Sequence, residues 1–481
     1  MTEAPLNPAP PRGTASSEPT RLVLNLFEMN TVGHITHGLW RQPGNNRSRY
    51  ADLSYWIELA TLAEQGGFDT IFLADVLGAY DVYQGSAEVA LREGIQIPNN
   101  DPMLLIPAMA AVTEHLGFGV TFSTSYEPPF AFARRMSTLD HLTNGRVGWN
   151  VVTSYLPNAA RNFGLTDQIP HDERYEIADE FLDVVYKLWE GSWDDDAVVG
   201  DSVTGVYTDP SKVRAINHVG EHFRVAGPHL SEPSPQRTPV IFQATGSKVG
   251  IELAGRHAEV IFTGGRAPGD AARNVAAIRA ANERNGRLAT DTKFVVQAAV
   301  IVGRTDAEVA EKLERYRRFT SVQGTFVQQS IPFDPLLHPA DITVREALER
   351  EGLFDLIEAG GLPLNMAVGQ FAASLDQAWQ KHFFVAGTPK VVVDEIERWL
   401  AEENIDGINL RQYHSFETLR DFVELVVPEL RRRGLVSTSR PAGETLRERL
   451  FGAGPRLPGR HLAARYRGGA NLDVPPPPFT H

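Results

Sequence analysis

The sequence predicts an α/β protein, a (β/α)8 TIM barrel, because eight short apolar segments alternate with helical patterns along its 481 residues. These segments are rich in Val, Ile and Phe without strict alternation, which is typical of parallel strands covered on both faces. Polar residues follow the last residue of several of them. In a barrel such residues meet at one mouth, where the active site lies. An open doubly wound sheet is the alternative architecture.

The pattern also predicts how the chain is divided. We expect strands at residues 22–27, 70–74, 117–123, 147–152, 239–243, 260–263, 294–302 and 407–410. Two segments, about 190–238 and 320–389, break the rhythm and are interpreted as long insertions, the first with a hairpin. The predicted organisation is therefore a flexible N-terminal tail (1–20), a barrel domain (21–436) and a C-terminal extension (437–481). We expect that extension to lie on the surface or to wrap a neighbouring subunit.

Composition narrows the class of protein. The net charge of −14 favours solubility and argues against a nucleic-acid partner. The chain has no cysteine, which excludes disulfides, thiolate nucleophiles and cysteine-ligated metals. Its first twenty residues lack the features of a signal peptide, and no stretch approaches the roughly 18 apolar residues of a membrane span. We therefore expect a cytoplasmic protein with no membrane partner.

Two short motifs could bind an anion. Residues 245–248 (TGSK) lie between the fifth strand and a helix, where Gly246 permits close approach of a ligand and the first helical amides face it. The simpler interpretation is that Ser247 only caps the helix. His171 and Tyr175 are four residues apart at a helix start and share one face, which could contact a cofactor phosphate or ring. The alternative is an ordinary helix start with acidic residues serving the dipole.

Strand ends and the first loop supply further candidates. Asn150 ends a strand, and a buried amide there is costly unless a ligand carbonyl or ring N–H pairs with it. Asp75 could bond a neutral heterocycle, act as a base, or merely cap the next turn. His34, His37 and Trp40 follow the first strand. The H-x-x-H spacing raises the question of a metal, but barrel metallohydrolases more usually present two His one residue apart on a strand, so we favour an aromatic pocket and no metal.

Several segments together resemble the flavin-dependent monooxygenases of the bacterial-luciferase-like superfamily. The resemblance is to the branch of nitrilotriacetate, dibenzothiophene-sulfone and dimethylsulfide monooxygenases, and it spans roughly residues 21–434. It is carried by residues 32–41, 110–117, 137–146 (STLDHLTNGR), 149–154 (WNVVTS), 161–164 and 171–175 (HDERY). Residues 74–88 look most like the dimethylsulfide monooxygenase group.

The resemblance implies a two-component enzyme. It would hold FMN at the strand ends, receive it in the reduced form (FMNH2) from a separate NADH:FMN reductase, and use O2 on a small-molecule substrate such as a sulfide, sulfone, amine or heterocycle. A homodimer or homotetramer is expected. The resemblance places Asp75, Ser123, Asn150 and Ser154 around the isoalloxazine and ribityl chain, and His171, Tyr175, Gly246 and Ser247 near the phosphate. One departure is Thr245, where the family usually has Gly, and it questions the geometry of the phosphate loop.

Other activities remain open at this stage. A flavin-dependent oxidative lyase acting on riboflavin or a related heterocycle would suit an altered phosphate loop. A deazaflavin-dependent oxidoreductase, a non-catalytic flavin-binding protein and a metal-dependent barrel hydrolase are further alternatives. The sequence lacks both a G-x-G-x-x-G after a strand and a Walker loop, so the nicotinamide would do its work elsewhere. Six aromatic residues of the second insertion could form a lid that keeps the site dry, or simply its core: Phe326, Phe333, Phe371, Trp379, Phe383 and Phe384.

Overall fold

The computed structural model describes residues 21–35, 37–265, 267–359, 361–376, 383–437 and 440–479. The predicted N-terminal tail and Trp379 lie outside these residues. The strands are β1 (Val23–Met29), β2 (Thr70–Ala74), β3 (Gly117–Ser123), β4 (Val147–Val152), β5 (Val198–Asp201), β6 (Val206–Thr208), β7 (His218–Val219), β8 (Arg224–Val225), β9 (Val240–Ala244), β10 (Val260–Thr263), β11 (Lys293–Val302), β12 (Phe383–Gly387) and β13 (Gly407–Arg411).

Helices follow most of these strands. They are α1 (Leu53–Gly66), α2 (Glu88–Glu93), α3 (Ile106–Ala110), α4 (Pro129–Leu142), α5 (Pro157–Asn162), α6 (His171–Tyr186), α7 (Lys248–His257), α8 (Asp270–Arg284), α9 (Asp306–Phe319), α10 (Val322–Gln328), α11 (Val344–Arg350), α12 (Phe354–Ala359), α13 (Val368–Asp376), α14 (Pro389–Glu402), α15 (Glu417–Asp421), α16 (Val427–Arg432) and α17 (Leu446–Phe451). Among the described helices, none combines the length and the apolar character that a bilayer span requires.

Eight parallel strands close into a barrel. Their order is β1, β2, β3, β4, β9, β10, β11 and β13, and β13 pairs with β1 through partners such as Asn25 and Asn409. The predicted (β/α)8 TIM barrel is confirmed, and all eight predicted strands belong to it. The strands are almost entirely buried, which explains why their sequences are apolar without alternation.

One further strand corrects the prediction for the second insertion. Phe383 and Phe384 lie in β12, which pairs in parallel with the carboxyl half of β11 outside the closed ring. They are therefore part of the sheet and not of a lid. Phe326 and Phe333 are fully buried in the core of the inserted segment, whereas Phe371 packs with them and also lines a cavity described below.

The C-terminal extension closes the amino-terminal end of the barrel. Leu446 and Leu450 of α17 pack against strand residues such as Val240 and Val260 in one buried cluster. The Arg447 guanidinium donates to both carboxylate oxygens of Glu259, at 2.7 and 2.9 Å. The expectation that this segment lies on the surface or on a neighbouring subunit is wrong for α17, because its apolar side chains seal the floor of their own barrel.

We expect this ion pair to hold α17 in place. Arg447→Met should lower the free energy of unfolding by about 3–5 kcal/mol, because it leaves the Glu259 carboxylate buried without its partner. The double variant Arg447→Met/Glu259→Gln should recover most of that loss. Arg432→Met, which breaks the exposed pair with Glu429, is the matched control and should cost less than about 1 kcal/mol. Denaturant unfolding measures all three, and equal losses for the two single variants would contradict the assignment.

Candidate functional site

A large cavity lies at the carboxyl ends of the barrel strands. This cavity, the chamber, measures about 1160 Å³. Its lower wall comes from strands and includes Phe27, Phe72, Asn150, Gln297 and Asn409. Its upper wall comes from the second insertion, between residues 320 and 375. The insertion therefore covers the mouth, as the lid interpretation requires, although its contributing residues are mostly not the predicted aromatics.

A second cavity of about 270 Å³, the side pocket, opens beside the chamber. The two share five lining residues, Asp75, Val76, Val152, Tyr155 and Ala244. Together they form one groove that runs from the barrel mouth towards the start of α6. The groove collects the predicted residues Asp75, Asn150, Ser154, His171 and Tyr175, which are up to 100 positions apart in the sequence.

Asn150 presents an unused acceptor to the chamber. Its side chain is buried, and its Nδ2 donates to Thr121 Oγ1 at 2.9 Å. Its Oδ1 is buried without a hydrogen-bond partner. A buried carbonyl left unpaired costs about 1–3 kcal/mol. The geometry therefore favours a ligand that offers an N–H at this point.

Asp75 lies where the chamber meets the side pocket. Burial raises the pKa of its carboxyl from 3.8 to about 7, and the Asn99 amide, which donates to Oδ1 at 2.6 Å, opposes that shift. Its Oδ1 also accepts from the Val76 amide at 2.9 Å, so the carboxyl also bonds the backbone of the residue that follows it. A carboxyl with such a pKa can either donate or accept a hydrogen bond near neutral pH.

Ser123 and Ser154 form one unit at the ends of β3 and β4. Ser154 Oγ donates to Ser123 Oγ at 2.8 Å. Ser154 lines the side pocket, whereas Ser123 is buried behind it and lines neither cavity. Ser154 has a φ of 54°, an uncommon left-handed conformation for a residue with a side chain. Ser123 thus reaches the groove only through Ser154.

Three hydroxyl groups converge at the start of α7. A methyl group placed on Gly250 would lie 2.0 Å from Thr245 Oγ1 and 3.0 Å from both Ser247 Oγ and Tyr175 OH. Thr245 Oγ1 is buried without a partner. We call this arrangement the hydroxyl cradle. Hydroxyl donors beside the first amides of a helix favour an anion.

The other residues predicted near the phosphate, Ser247, Gly246 and His171, lie in different surroundings. Ser247 caps α7, accepting from the Gly250 amide at 3.2 Å, and its contact with a phosphate stays a prediction. Its oxygen belongs to the hydroxyl cradle. A Cβ at Gly246 would meet no atom within 4 Å, which leaves the space above it open. His171 lines the side pocket and bonds Asp172 at 2.6 Å, while its ring lies 5.1 Å from that of Tyr175.

The three candidate residues of the first loop do not all lie in the chamber. His34 and His37 line the chamber, but Trp40 does not; its Nε1 donates to the Glu93 carbonyl at 2.9 Å. Burial lowers the pKa of His37 to about 4, although its bond to Gln328 opposes the shift, and burial also lowers the pKa of His34. Both rings are therefore neutral at pH 7. Across the described chain, no group of three metal-ligand side chains includes them.

Sequence reasoning missed several polar residues of the groove. Gln297 and Asn409 line the chamber floor, and Arg174 lines the side pocket. Gln297 and Asn409 interrupt apolar strands (FVVQAAVIV and GINLR), which was the available signal. Arg174 stands within the matched HDERY segment beside Tyr175, but helix periodicity alone does not tell which of its neighbours faces the groove.

The fold and this groove define a barrel enzyme whose site lies at the strand ends. A model of the family described as luciferase-like monooxygenase matches residues 33–406, which is more than half of the chain. The chain belongs to the luciferase-like monooxygenase family. The family inferred from the sequence motifs is thereby confirmed.

Individual relatives share nearly the whole chain. It is 51% identical over 448 residues to the long-chain alkane monooxygenase of Geobacillus thermodenitrificans, covering 93% of this chain and 98% of the relative. It is 43% identical over 464 residues to the dimethyl-sulfide monooxygenase of Hyphomicrobium sulfonivorans, covering 93% and 94%. The solved structure of a riboflavin lyase with modified FMN and substrate riboflavin has a TM-score of 0.84 at 34% identity, covering 93% of this chain and 99% of that one. The motifs pointed to the dimethylsulfide group, and the higher identity is to the alkane enzyme.

Asp75 should make stability depend on pH. The folded protein keeps this proton up to about pH 7, whereas the unfolded chain releases it near 3.8. Because the folded state then binds more protons, the free energy of unfolding falls as pH rises through this window. Compared with Asp75→Asn, which cannot titrate, the wild type should lose stability steadily between pH 4 and 7. Denaturant unfolding of both proteins at several pH values measures this, and a constant difference would disprove the raised pKa.

Two glycine variants test the hydroxyl cradle. Gly250→Ala should weaken FMN binding by about tenfold or more, because the added methyl displaces the Thr245 hydroxyl. Gly454→Ala, in the C-terminal extension, is the matched control, since its methyl meets no protein atom within 4 Å and lies outside the groove. Isothermal titration with FMN measures both. Unchanged affinity in Gly250→Ala, in a variant that melts like the wild type, would remove the cradle from the site.

Proposed function

We propose that the chain is an FMN-dependent monooxygenase that binds the flavin along the groove. The single observation that supports this most is the pairing of an unused acceptor in the groove, Asn150 Oδ1, with the hydroxyl cradle, which the groove reaches through Tyr175. A flavin mononucleotide carries an N–H-bearing ring at one end and a phosphate at the other. The residues present therefore fit this cofactor.

The roles of the residues follow from their positions. Asn150 and Asp75 would orient the ring system, and Ser154 would contact the ribityl chain. Tyr175, Thr245 and Ser247 would hold the phosphate at the start of α7, with His171 beside them. When bound, reduced flavin supplies the reducing power that activates O2. The protein's own contribution is to position the ring and to exclude water from it.

The second insertion provides the water exclusion. It roofs the chamber with apolar side chains, including Ile331, Leu362, Met366, Phe371 and Leu375. His37 anchors this roof to the first loop: its ring bonds Gln328 at 2.9 Å, and its carbonyl accepts from the Ser321 amide at 2.9 Å. Apolar side chains over the mouth favour chemistry that water would otherwise intercept.

We infer that a separate NADH:FMN reductase supplies the flavin as FMNH2. The sequence has no dinucleotide-binding fingerprint. A relative that is 35% identical over 446 residues is named nitrilotriacetate monooxygenase component A, which supports a two-component system. A homodimer or homotetramer in the cytoplasm remains our expectation.

The chamber favours a neutral, apolar substrate. Among the described residues, the charged side chains that line it are Asp75 and Arg411, and His34 and His37 are uncharged at neutral pH. A polycarboxylate would need several cations to offset its desolvation. An alkane or a dialkyl sulfide requires none, and relatives named for both kinds of substrate lie at 51% and 43% identity.

Oxidative cleavage of riboflavin is the second candidate. The chamber volume of about 1160 Å³ lies above the usual range of small-molecule sites, so a second ring system could fit beside the cofactor. The likeness to a riboflavin lyase supports the same activity. The identities of 51% and 43% to an alkane and a dimethyl-sulfide monooxygenase, against 34% to the lyase, keep the monooxygenase first.

Oxygen uptake with chemically reduced FMN tests the proposal. We expect substrate-dependent incorporation of one oxygen atom with medium- and long-chain alkanes or dialkyl sulfides. We expect none with nitrilotriacetate, because Arg411 is the single Lys or Arg that lines the chamber among the described residues. Mass spectrometry with ¹⁸O2 identifies the product. Cleavage of riboflavin alone would establish the second candidate instead. If reduced FMN neither binds nor changes the oxygen uptake, the proposal fails.

A further inference from the structure

Arg174 is a buried cation with almost no partners. It lies on α6, and its side chain is 8% exposed. Its Nη1 donates to the Ser154 carbonyl, and its Nε is buried without a partner. Within the described ranges, no carboxylate oxygen lies within 4 Å of its guanidinium. A buried guanidinium with so few hydrogen-bond acceptors and no counter-charge costs free energy unless a ligand supplies them.

Other buried arginines of this chain show what compensation looks like. Arg47 and Arg447 each pair with a glutamate. Arg146 and Arg287 have no carboxylate partner either, but each donates to three or more backbone carbonyls. Arg174 has neither kind of compensation. Its bond to the Ser154 carbonyl alone therefore does not account for its burial.

The position of Arg174 indicates what is missing. It lines the side pocket together with His171 and Tyr175, which are three residues before it and one after it on α6. The Tyr175 hydroxyl belongs to the hydroxyl cradle at the start of α7. Asp75 is the carboxylate that lines the same pocket, and burial holds its pKa near 7. The pocket thus holds an uncompensated cation beside Tyr175, whose hydroxyl is one of the three of the cradle.

We propose that Arg174 is a phosphate-binding residue of the side pocket, and that its guanidinium supplies the positive charge that the cradle hydroxyls lack. The inference rests on the proposed binding of FMN. Charge-assisted hydrogen bonds from a guanidinium to a phosphate are about twice as strong as neutral ones. The same side chain, through the Ser154 carbonyl, ties the end of β4 to the start of α6 and keeps the pocket wall in position.

The test compares FMN with riboflavin, which lacks only the phosphate. Binding of both oxidised flavins is measured by fluorescence quenching in the wild type, Arg174→Gln and Arg174→Lys. We expect Arg174→Gln to weaken FMN by about tenfold or more and riboflavin by about threefold at most. Arg174→Lys should retain part of the FMN affinity, because lysine keeps the positive charge but lacks the paired N–H donors of the guanidinium. Equal losses for FMN and riboflavin would overturn the proposal.

A second variant separates charge from support of the loop. In Ser154→Gly the left-handed conformation no longer requires stabilisation, since glycine adopts it freely. If Arg174 acts only by holding Ser154, Arg174→Gln should have no further effect on FMN in that background. We expect the tenfold loss to persist there. Thermal unfolding of each variant shows that the fold is intact.

The outcomes also separate this inference from the proposed function. A wild type that binds neither flavin contradicts the proposed function itself. A wild type that binds both flavins equally well shows that the phosphate is not recognised, which overturns the phosphate-binding roles of Arg174 and of the hydroxyl cradle but leaves flavin binding along the groove intact. Loss of the FMN preference in Arg174→Gln, with riboflavin binding retained, supports both.

Discussion

Two strand pairings, β1 with β13 and β10 with β11, close the sheet into a ring. Because all eight strands run in parallel, this closure brings their carboxyl ends to one rim. Asp75, Asn150 and Ala244 meet there although about 170 residues separate the first from the last. The ladder also satisfies the strand backbones, so the side chains at the rim remain available to a ligand.

Two groups of side chains, one aromatic and one of amides, lie on opposite sides of the barrel interior. Phe72, Phe242 and Phe262 pack together on one side, with the Phe72 and Phe262 ring centroids 4.1 Å apart. Gly148 makes room for them, because a Cβ there would lie 2.4 Å from the Phe242 ring. On the other side Asn25, Asn409 and Gln297 are consecutive partners in register. These two groups of residues are uncharged, aromatic on one side and amide on the other.

The barrel and much of its rim could be predicted from the sequence, because buried parallel strands and their polar ends leave local patterns. Asp75 and Asn150 were found by that rule. The position of α17 could not be predicted, since Leu446 and Leu450 acquire a buried face only through long-range contact with the barrel floor. Thr245 stands where the family usually has Gly, and this difference put the geometry of the phosphate loop in question. In the structure its hydroxyl is part of the hydroxyl cradle. Only the three-dimensional meeting of α6 and α7 reveals that role.

Three buried polar atoms along the groove, Asn150 Oδ1, Thr245 Oγ1 and Arg174 Nε, have no partner. Each such atom costs about 1–3 kcal/mol. Such departures are typical of functional sites. Asn150 and Arg174 line the groove, and Thr245 lies beside it against Gly250. A ligand that completes them lowers the free energy of the folded state alone. The same hydrogen bonds would therefore contribute both to the affinity for the proposed flavin and to the stability of the rim.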